Sequence, residues 1–421
     1  MQNSTIFFSL VHHTMQGPTK LAPKISLLTG EITMRIDGKI GIFSCISVLG
    51  AAALTLATSK PAEAMPNFAQ AYGIKCSECH IQIPALNAYG RYVQRTGYAG
   101  LNPHVLERES PIWVDYPIGY TQQSPSAASW DIGSLGVHAD GAFGTPGSEW
   151  TYHVQQWIWQ GSQAGGLDTA WFAYNNFFNG AGHIFVGKLE VPAPSEFSQW
   201  LDVSGLTVNS QAEITVGEHA YELDANRWGE KFAYVRGSLD AEIAYVTSSA
   251  DLNGFNDYDW TQDKTLQYKL AFANQGNPVE FGYYGARGSW PLTEGGFDQY
   301  HTNGFYAQRD PVNGVPGFLA TYQMNHDSNP GMGAPSAGSN GISYELYDNI
   351  GQRGLVSVGE QLTNDGLGNH TQIGNIDASY HVTRFIILYA EEALGVGQKP
   401  TWNGLIWFAL PTGPLWPALS Q

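Results

Sequence analysis

The stretch "GIKCSECHIQIPALNAYGRY" begins at Gly73 and holds the residues most able to do chemistry: Cys76, Cys79 and His80. The chain has only 3 cysteines in 421 residues, so two of them three apart with a histidine directly behind demand an account. A disulfide across Cys76 and Cys79 would close a tiny loop and stabilise little. A redox CxxC needs a thioredoxin-like strand before it and a helix after it, and the preceding "NFAQAYGI" is a poor buried strand. A zinc site needs a second ligand pair at short spacing, and the chain has none. Attachment of a c-type haem uses every part of the pentad: the two thiols form thioethers and His80 binds iron as proximal ligand. One covalently attached c-type haem is therefore the expected cofactor, with Cys76, Cys79 and His80 as its site.

The segment on the carboxyl side of His80 must position these residues. Leu86, Tyr89, Gly90 and Val93 recur at three- and four-residue spacing, so "PALNAYGRYVQRTGY" reads as a short amphipathic helix ending near Gly97. Its apolar face could lie on a porphyrin while Arg91 or Arg95 approaches a propionate; the plainer expectation is a solvated basic face. A unit of residues 65–108 is too short to wrap a haem unaided. For the sixth iron position His104, His138 and His153 are the nearest histidines, Met65, Met324 and Met332 are the remaining methionines, and an open site is the further option.

The amino terminus reads as an address. From Met34, "MRIDGKIGIFSCISVLGAAALTLATSKPAEA" has a basic start at Arg35 and Lys39, an apolar run from Ile40 to Ala57, and Ala62-Glu63-Ala64 as a cleavage site. Residues 1–64 are expected to be a signal peptide, with Met1 or Met34 as the start, and Cys45 is lost with it. A membrane anchor is the other reading of the apolar run. Removing the five basic and three acidic residues of 1–64 leaves 15 basic against 34 acidic, a net charge of -19. Nucleic acid is thereby a poor partner, because phosphate binding needs clustered Lys and Arg.

From about residue 109 to 411 the chain shows short alternating runs separated by Gly, Asn, Asp and Pro clusters. In "TLQYKLAFAN", Leu266, Tyr268, Leu270 and Phe272 alternate with Gln267, Lys269, Ala271 and Ala273. "SLDAEIAYVT" and "NGISYELYDN" repeat the pattern, with Asp240, Glu242, Ser343 and Glu345 on the polar side. Roughly 16 such segments of about ten residues are expected, the length of tilted strands crossing a bilayer. A soluble sandwich or propeller also alternates. The 13 Trp and 22 Tyr, with only 14% charged residues, favour a lipid-facing barrel with aromatic girdles. The expected fold is mainly β: an approximately 16-stranded transmembrane barrel with a small amino-terminal α-helical haem segment in or at its lumen. The last strand is expected over Trp402–Leu410, with a tail at 412–421.

Two acidic stretches are site candidates. "DLNGFNDYDWTQD" places Asp251, Asp257, Asp259 and Asp263 on a loop whose oxygens suit Fe(II) or Ca²⁺, or simply solvate it. "KLEVPAPSEFSQWLD" breaks the strand pattern, and Glu190 and Glu196 would matter if it folds into the lumen.

The run from Ala64 to Tyr98 resembles the amino-terminal segment of the outer-membrane iron-oxidising cytochromes, in which one c-type haem domain is fused to a porin-like barrel. The matching positions are Pro66, Phe68, Ala69, Gly73, Cys76, Cys79, His80, Pro84, Leu86, Asn87, Gly90, Arg91, Gly97 and Tyr98. The interval from His80 to Pro84 is one residue shorter than in those proteins, and the barrel matches in pattern and length only. The resemblance implies an outer-membrane protein carrying electrons across the membrane, from extracellular Fe(II) to a periplasmic electron-carrier cytochrome, in contact with outer-membrane lipid. Two other functions fit the same residues: a transport porin with a haem-bearing plug or sensor, and a soluble periplasmic haem protein with a β domain.

Overall fold

The computed structural model describes residues 68, 74–83, 85–101, 112–123, 126–143, 149–160, 163–194, 214–248, 264–383 and 385–411. The expected signal peptide, the tail at 412–421, His104, Glu196, Met65 and the acidic stretch Asp251–Asp263 lie outside them.

The alternating runs form strands that close on themselves. A small hairpin, β1 (His80–Gln82) and β2 (Ala85–Leu86), precedes helix α1 (Ala88–Arg95). The wall then begins with β3 (Ile112–Gln123), β4 (Ser129–Ile132), β5 (Leu135–Phe143), β6 (Trp150–Gln160), β7 (Gln163–Ala164), β8 (Leu167–Phe177) and β9 (Gly182–Leu189). A hairpin of β10 (Thr215–Val216) and β11 (His219–Ala220) lies in the next connection. The wall resumes with β12 (Arg227–Arg236), β13 (Leu239–Thr247), β14 (Lys264–Phe272), β15 (Val279–Pro291), β16 (Phe297–Arg309) and β17 (Gly317–Asp327). It ends with β18 (Ala337–Ile350), β19 (Gly354–Asn364), β20 (His370–Thr383), β21 (Ile386–Gly395) and β22 (Thr401–Pro411). With β4–β5 and β7–β8 each forming one broken stave, these make a closed antiparallel barrel of 16 strands. Closure comes from β22 on β3, in register from Thr401↔Gln123 to Pro411↔Trp113. It leaves no sheet edge with unpaired backbone groups, which a bilayer would not tolerate.

The burial of the strands is inverted relative to a soluble protein. On β14, Leu266, Leu270 and Phe272 face outward and exposed, while Gln267 and Lys269 are 1% and 2% exposed on the inside. On β18, Ile342, Tyr344 and Leu346 face out while Ser343 and Glu345 are buried. An apolar band of this extent around the whole wall is far larger than the patches a water-soluble surface carries, so the outer face is built for lipid. The soluble sandwich is ruled out on this ground. Every strand from β12 to β22 pairs with its sequence neighbour, so the chain winds as a meander. Short turns gather at the end where β3 begins and β22 ends. The connections 190–226 and 248–263 leave from the opposite, loop end.

Placing an arginine on the lipid face tests this inversion. At Ile243, midway along β13, Ile243→Arg should lower the urea-unfolding free energy in lipid vesicles by about 2–4 kcal/mol. Leu239→Arg, at the strand's end, should cost about 0–1 kcal/mol. Equal costs at the two depths would contradict a bilayer around this wall.

Candidate functional site: the lumenal segment and the wall that holds it

The Cys76–Glu78 segment is one 3-10 turn, with the Cys79 N–H donating to the Cys76 carbonyl at 3.1 Å. In a 3-10 turn residues three apart eclipse, so the two cysteines fall on one side. Cys76 and Cys79 do not form a disulfide; they are 3% and 8% exposed, and His80 is buried as well. Burial, and then the adjacent Glu78 carboxylate, push the Cys79 thiol up to about 11. In the folded chain it is therefore a poor nucleophile.

Helix α1 is tied to this turn by its cap. The Asn87 side chain accepts from the Gly90 N–H at 3.0 Å and donates to the carbonyls of Ser77 and Glu78. The Asn87 N–H also donates to the Cys79 carbonyl at 2.9 Å. Gly90 is glycine for a steric reason: a Cβ there would lie 2.0 Å from the Cys79 oxygen. The helix is shorter than the spacing suggests, because Leu86 pairs with His80 in the β1–β2 hairpin instead of joining it.

The two faces of α1 are both spent on the barrel wall. Val93, with Tyr98 and Phe68, packs against Trp171, Phe185, Ala233 and Val246. On the other face, the Arg91 Nε lies 3.0 Å from Glu280 and its Nη1 2.9 Å from Asp310. Arg95 pairs with Glu280 and Asp240, the latter at 3.2 Å. Lys269 and Lys231 complete the set through Glu242, at 2.5 and 3.3 Å. Four cations thus meet four carboxylates with almost no exposure to solvent. This corrects the expectation of a solvated basic face: Arg91 and Arg95 are buried and paired with carboxylates of the barrel. Asp310, in the β16–β17 turn, is lifted above the ordinary carboxylate value by burial, against the pull of Arg91. Its Oδ2 also accepts the Ala88 N–H at 2.8 Å, at the first residue of the helix. Glu190, from the connection after β9, takes a hydrogen bond from Gln94, so this part of the connection does reach the lumenal helix.

Of the expected sixth-position residues, His138 and His153 are committed elsewhere. The His138 Nε2 lies 3.1 Å from Asp115, and its ring stacks on Trp113. His153 engages Asp140 through Nδ1 and Thr169 through Nε2. Iron could bind His153 only by breaking such a bond. Met324 and Met332 are exposed, the former on the outer face of β17. His381, on the lumenal face of β20, was not singled out by the sequence. It is 2% exposed, its Nδ1 has no hydrogen-bond partner among the described residues, and His80 and Arg353 are neighbouring basic groups. The Arg353 carbonyl accepts both from the His381 N–H and from the Gln82 side chain, which joins the cysteine-bearing hairpin to this strand. The signal available in the sequence was only the alternation of Asp377, Ser379 and His381 on one side of a strand.

The barrel has solved counterparts. OmpTdeltaL8, a loop deletion mutant of an outer membrane protein of Vibrio cholerae, superimposes with a TM-score of 0.52 at 12% identity, over 71% of this chain and 98% of that one. The anion-selective porin from Comamonas acidovorans does so with a TM-score of 0.52 at 11% identity, over the same shares. The fold is that of an outer-membrane porin-like barrel. No protein-family model matches the sequence, and no curated protein does.

Removing Glu280 tests what holds the lumenal segment. Glu280→Ala removes the carboxylate that Arg91 and Arg95 share and leaves the buried cluster with one positive charge in excess, at a cost of about 3–5 kcal/mol. The segment should then leave the wall, and single-channel recordings in planar bilayers should show a larger and noisier conductance than the parent's. An unchanged conductance would mean that the ion network does not hold the plug.

Proposed function

We propose that this is an outer-membrane c-type cytochrome carrying electrons across the membrane through one covalently bound haem, from extracellular Fe(II) to a periplasmic electron-carrier cytochrome. The observation that carries the reading is the position of the CxxCH turn: buried, locked into the barrel lumen, and joined through Gln82 and Arg353 to the strand bearing His381. A porin that only conducts solutes has no need to hold two thiols and a histidine there.

Cys76 and Cys79 would hold the group and His80 would ligate its iron. His381 would be a second side chain able to hold the group, since it is a buried imidazole with one nitrogen uncommitted. A c-type haem, when bound, supplies a one-electron redox centre within a layer of hydrocarbon about 30 Å thick that otherwise insulates. The chain's own work is positional. The cap at Asn87 and the Arg91–Glu280–Arg95 network fix the segment, and the aromatic packing around Tyr98 excludes water from its apolar side. The acidic net charge favours approach of a cationic donor such as Fe(II). Electron transfer of this kind resembles an Fe(II) oxidoreductase in outcome, with one electron lost by each iron and one gained by the periplasmic acceptor.

A second reading is a solute porin whose amino-terminal segment is a plug, and the likeness of the barrel to porins favours it. Purified mature protein separates the two. The cytochrome reading expects a c-type spectrum that survives acid–organic extraction, is lost in Cys76→Ser with Cys79→Ser, and is reduced anaerobically by Fe(II). Absence of covalent haem would leave the plugged porin. A haem that dithionite reduces and Fe(II) does not would remove iron as donor alone. His381→Ala should convert a low-spin spectrum to high-spin, whereas His153→Ala should leave it low-spin.

A further inference from the structure

At the loop end of the barrel, far along the strands from the cysteine-bearing turn, a second group of side chains converges. His219, on β11, enters from the connection between β9 and β12. Asp298 and Asp327 come from the wall, at the start of β16 and the end of β17. The His219 Nδ1 lies 2.7 Å from Asp327 Oδ1 and 3.4 Å from Asp298 Oδ2, and one donor atom from each residue lies within 4.8 Å of the other two. We propose that His219, Asp298 and Asp327 form a binding site for a divalent first-row transition-metal ion, which pins the inserted connection across the barrel mouth.

Three observations support a cation here. First, both aspartates are fully buried, at 0% exposure, and among the described residues the Oδ2 atom of each finds no hydrogen-bond donor outside this cluster. The two buried carboxylates face one imidazole and each other, so they must share a proton or take up a cation, and among the described residues no lysine or arginine is ion-paired with either. Such a pair is costly to bury unless a cation or proton joins it. Second, the donors are already aimed. Asp298 Oδ1 accepts from the Asn329 N–H at 2.8 Å and from the Ser328 hydroxyl, which turns Oδ2 toward His219. Asp327 Oδ1 accepts from the Tyr221 hydroxyl at 2.8 Å. The His219 ring is held between Trp290, stacked at 4.7 Å, and Tyr300 at 4.4 Å. Outer hydrogen bonds that fix ligand orientation are a regular part of metal sites. Third, the hairpin bearing His219 is clipped to the wall's loops on both sides. Its Glu218 N–H donates to the Pro330 carbonyl at 2.7 Å, and its carboxylate accepts the Thr293 N–H at 2.6 Å.

One imidazole nitrogen with two carboxylates is a mixed N,O set, which suits Fe(II), Mn(II), Co(II) or Zn(II) better than Mg²⁺ or Ca²⁺, whose sites are all oxygen. The site does not depend on the haem reading, because it shares no residue with the cysteine-bearing segment.

The test uses the full mature chain in detergent, titrated with Mn²⁺ and followed by loss of the free-ion electron paramagnetic resonance signal. One Mn²⁺ per chain is expected, displaced by Zn²⁺ and, anaerobically, by Fe(II) at lower concentrations than by Ca²⁺. Asp298→Asn with Asp327→Asn, and His219→Gln alone, should each weaken binding by at least about tenfold. Heat-modifiable gel migration confirms that each variant has folded, and Tyr221→Phe, which leaves all three ligands, should weaken binding by a smaller factor. No bound Mn²⁺ in the parent, binding untouched by these substitutions, or displacement by Ca²⁺ as effective as by Zn²⁺ would each overturn the proposal.

Discussion

Everything in the lumen depends on a balance of buried charge. A helix of eight residues cannot hold itself in a barrel by propensity alone, since isolated helices of that length are unstable in water. Here Arg91 and Arg95 meet Glu280, Asp310 and Asp240, and the wall supplies Lys231 and Lys269 to neutralise what remains. Such a cluster contributes less to net stability than its Coulomb terms suggest, because each ion gives up its hydration. Its force lies in the alternative. Removing the helix would leave Glu280 and Asp240 facing a lumen with too few cations, so the segment and the wall specify one another.

Among the described residues the barrel has two occupants, and they arrive from opposite ends. The amino-terminal segment fills the half near the short turns, where Asp310 and Arg353 sit in the β16–β17 and β18–β19 connections. The connection between β9 and β12 comes in from the loop end and seats Ile214, Val216 and Tyr221 against Tyr284, Tyr300 and Ala337 of the wall. Glu190 binds Gln94 of the helix, so the first part of that connection touches the other occupant. The lumen is consequently lined by fixed, hydrogen-bonded groups, an arrangement suited to holding chemistry in place.

The electrostatics of the two ends differ. Around α1 the charges are matched, four cations to four carboxylates. At the loop end Asp298 and Asp327 outnumber their single histidine. A membrane protein can place such an excess in its lumen because alternation along each strand sends every second side chain inward, away from lipid.

How much of this could be read from the residues varies by level. The chemistry of Cys76, Cys79 and His80 comes from their types and spacing, which are local and need no fold to be seen. The period of two along "TLQYKLAFAN" likewise marks the wall strands and their faces, and with it the inward direction of Asp240, Glu242 and Glu345, because a strand's pleat fixes side-chain direction residue by residue. The helix after Pro84 was legible in part: its spacing gave α1, but Leu86 was drawn into a hairpin by its pairing with His80. The partners of Arg91 and Arg95 on the wall were hidden, since Glu280 and Asp310 lie 185 to 219 residues away and Asp240 is also far along the chain, and all come within reach only when the barrel closes. The same holds for His381 beside the cysteine-bearing hairpin and for His219 between two aspartates. Local sequence determined which side chains point inward and which could bind a metal or a haem. Only the tertiary structure decided which of them meet, because strand register and barrel closure set every distance across the lumen.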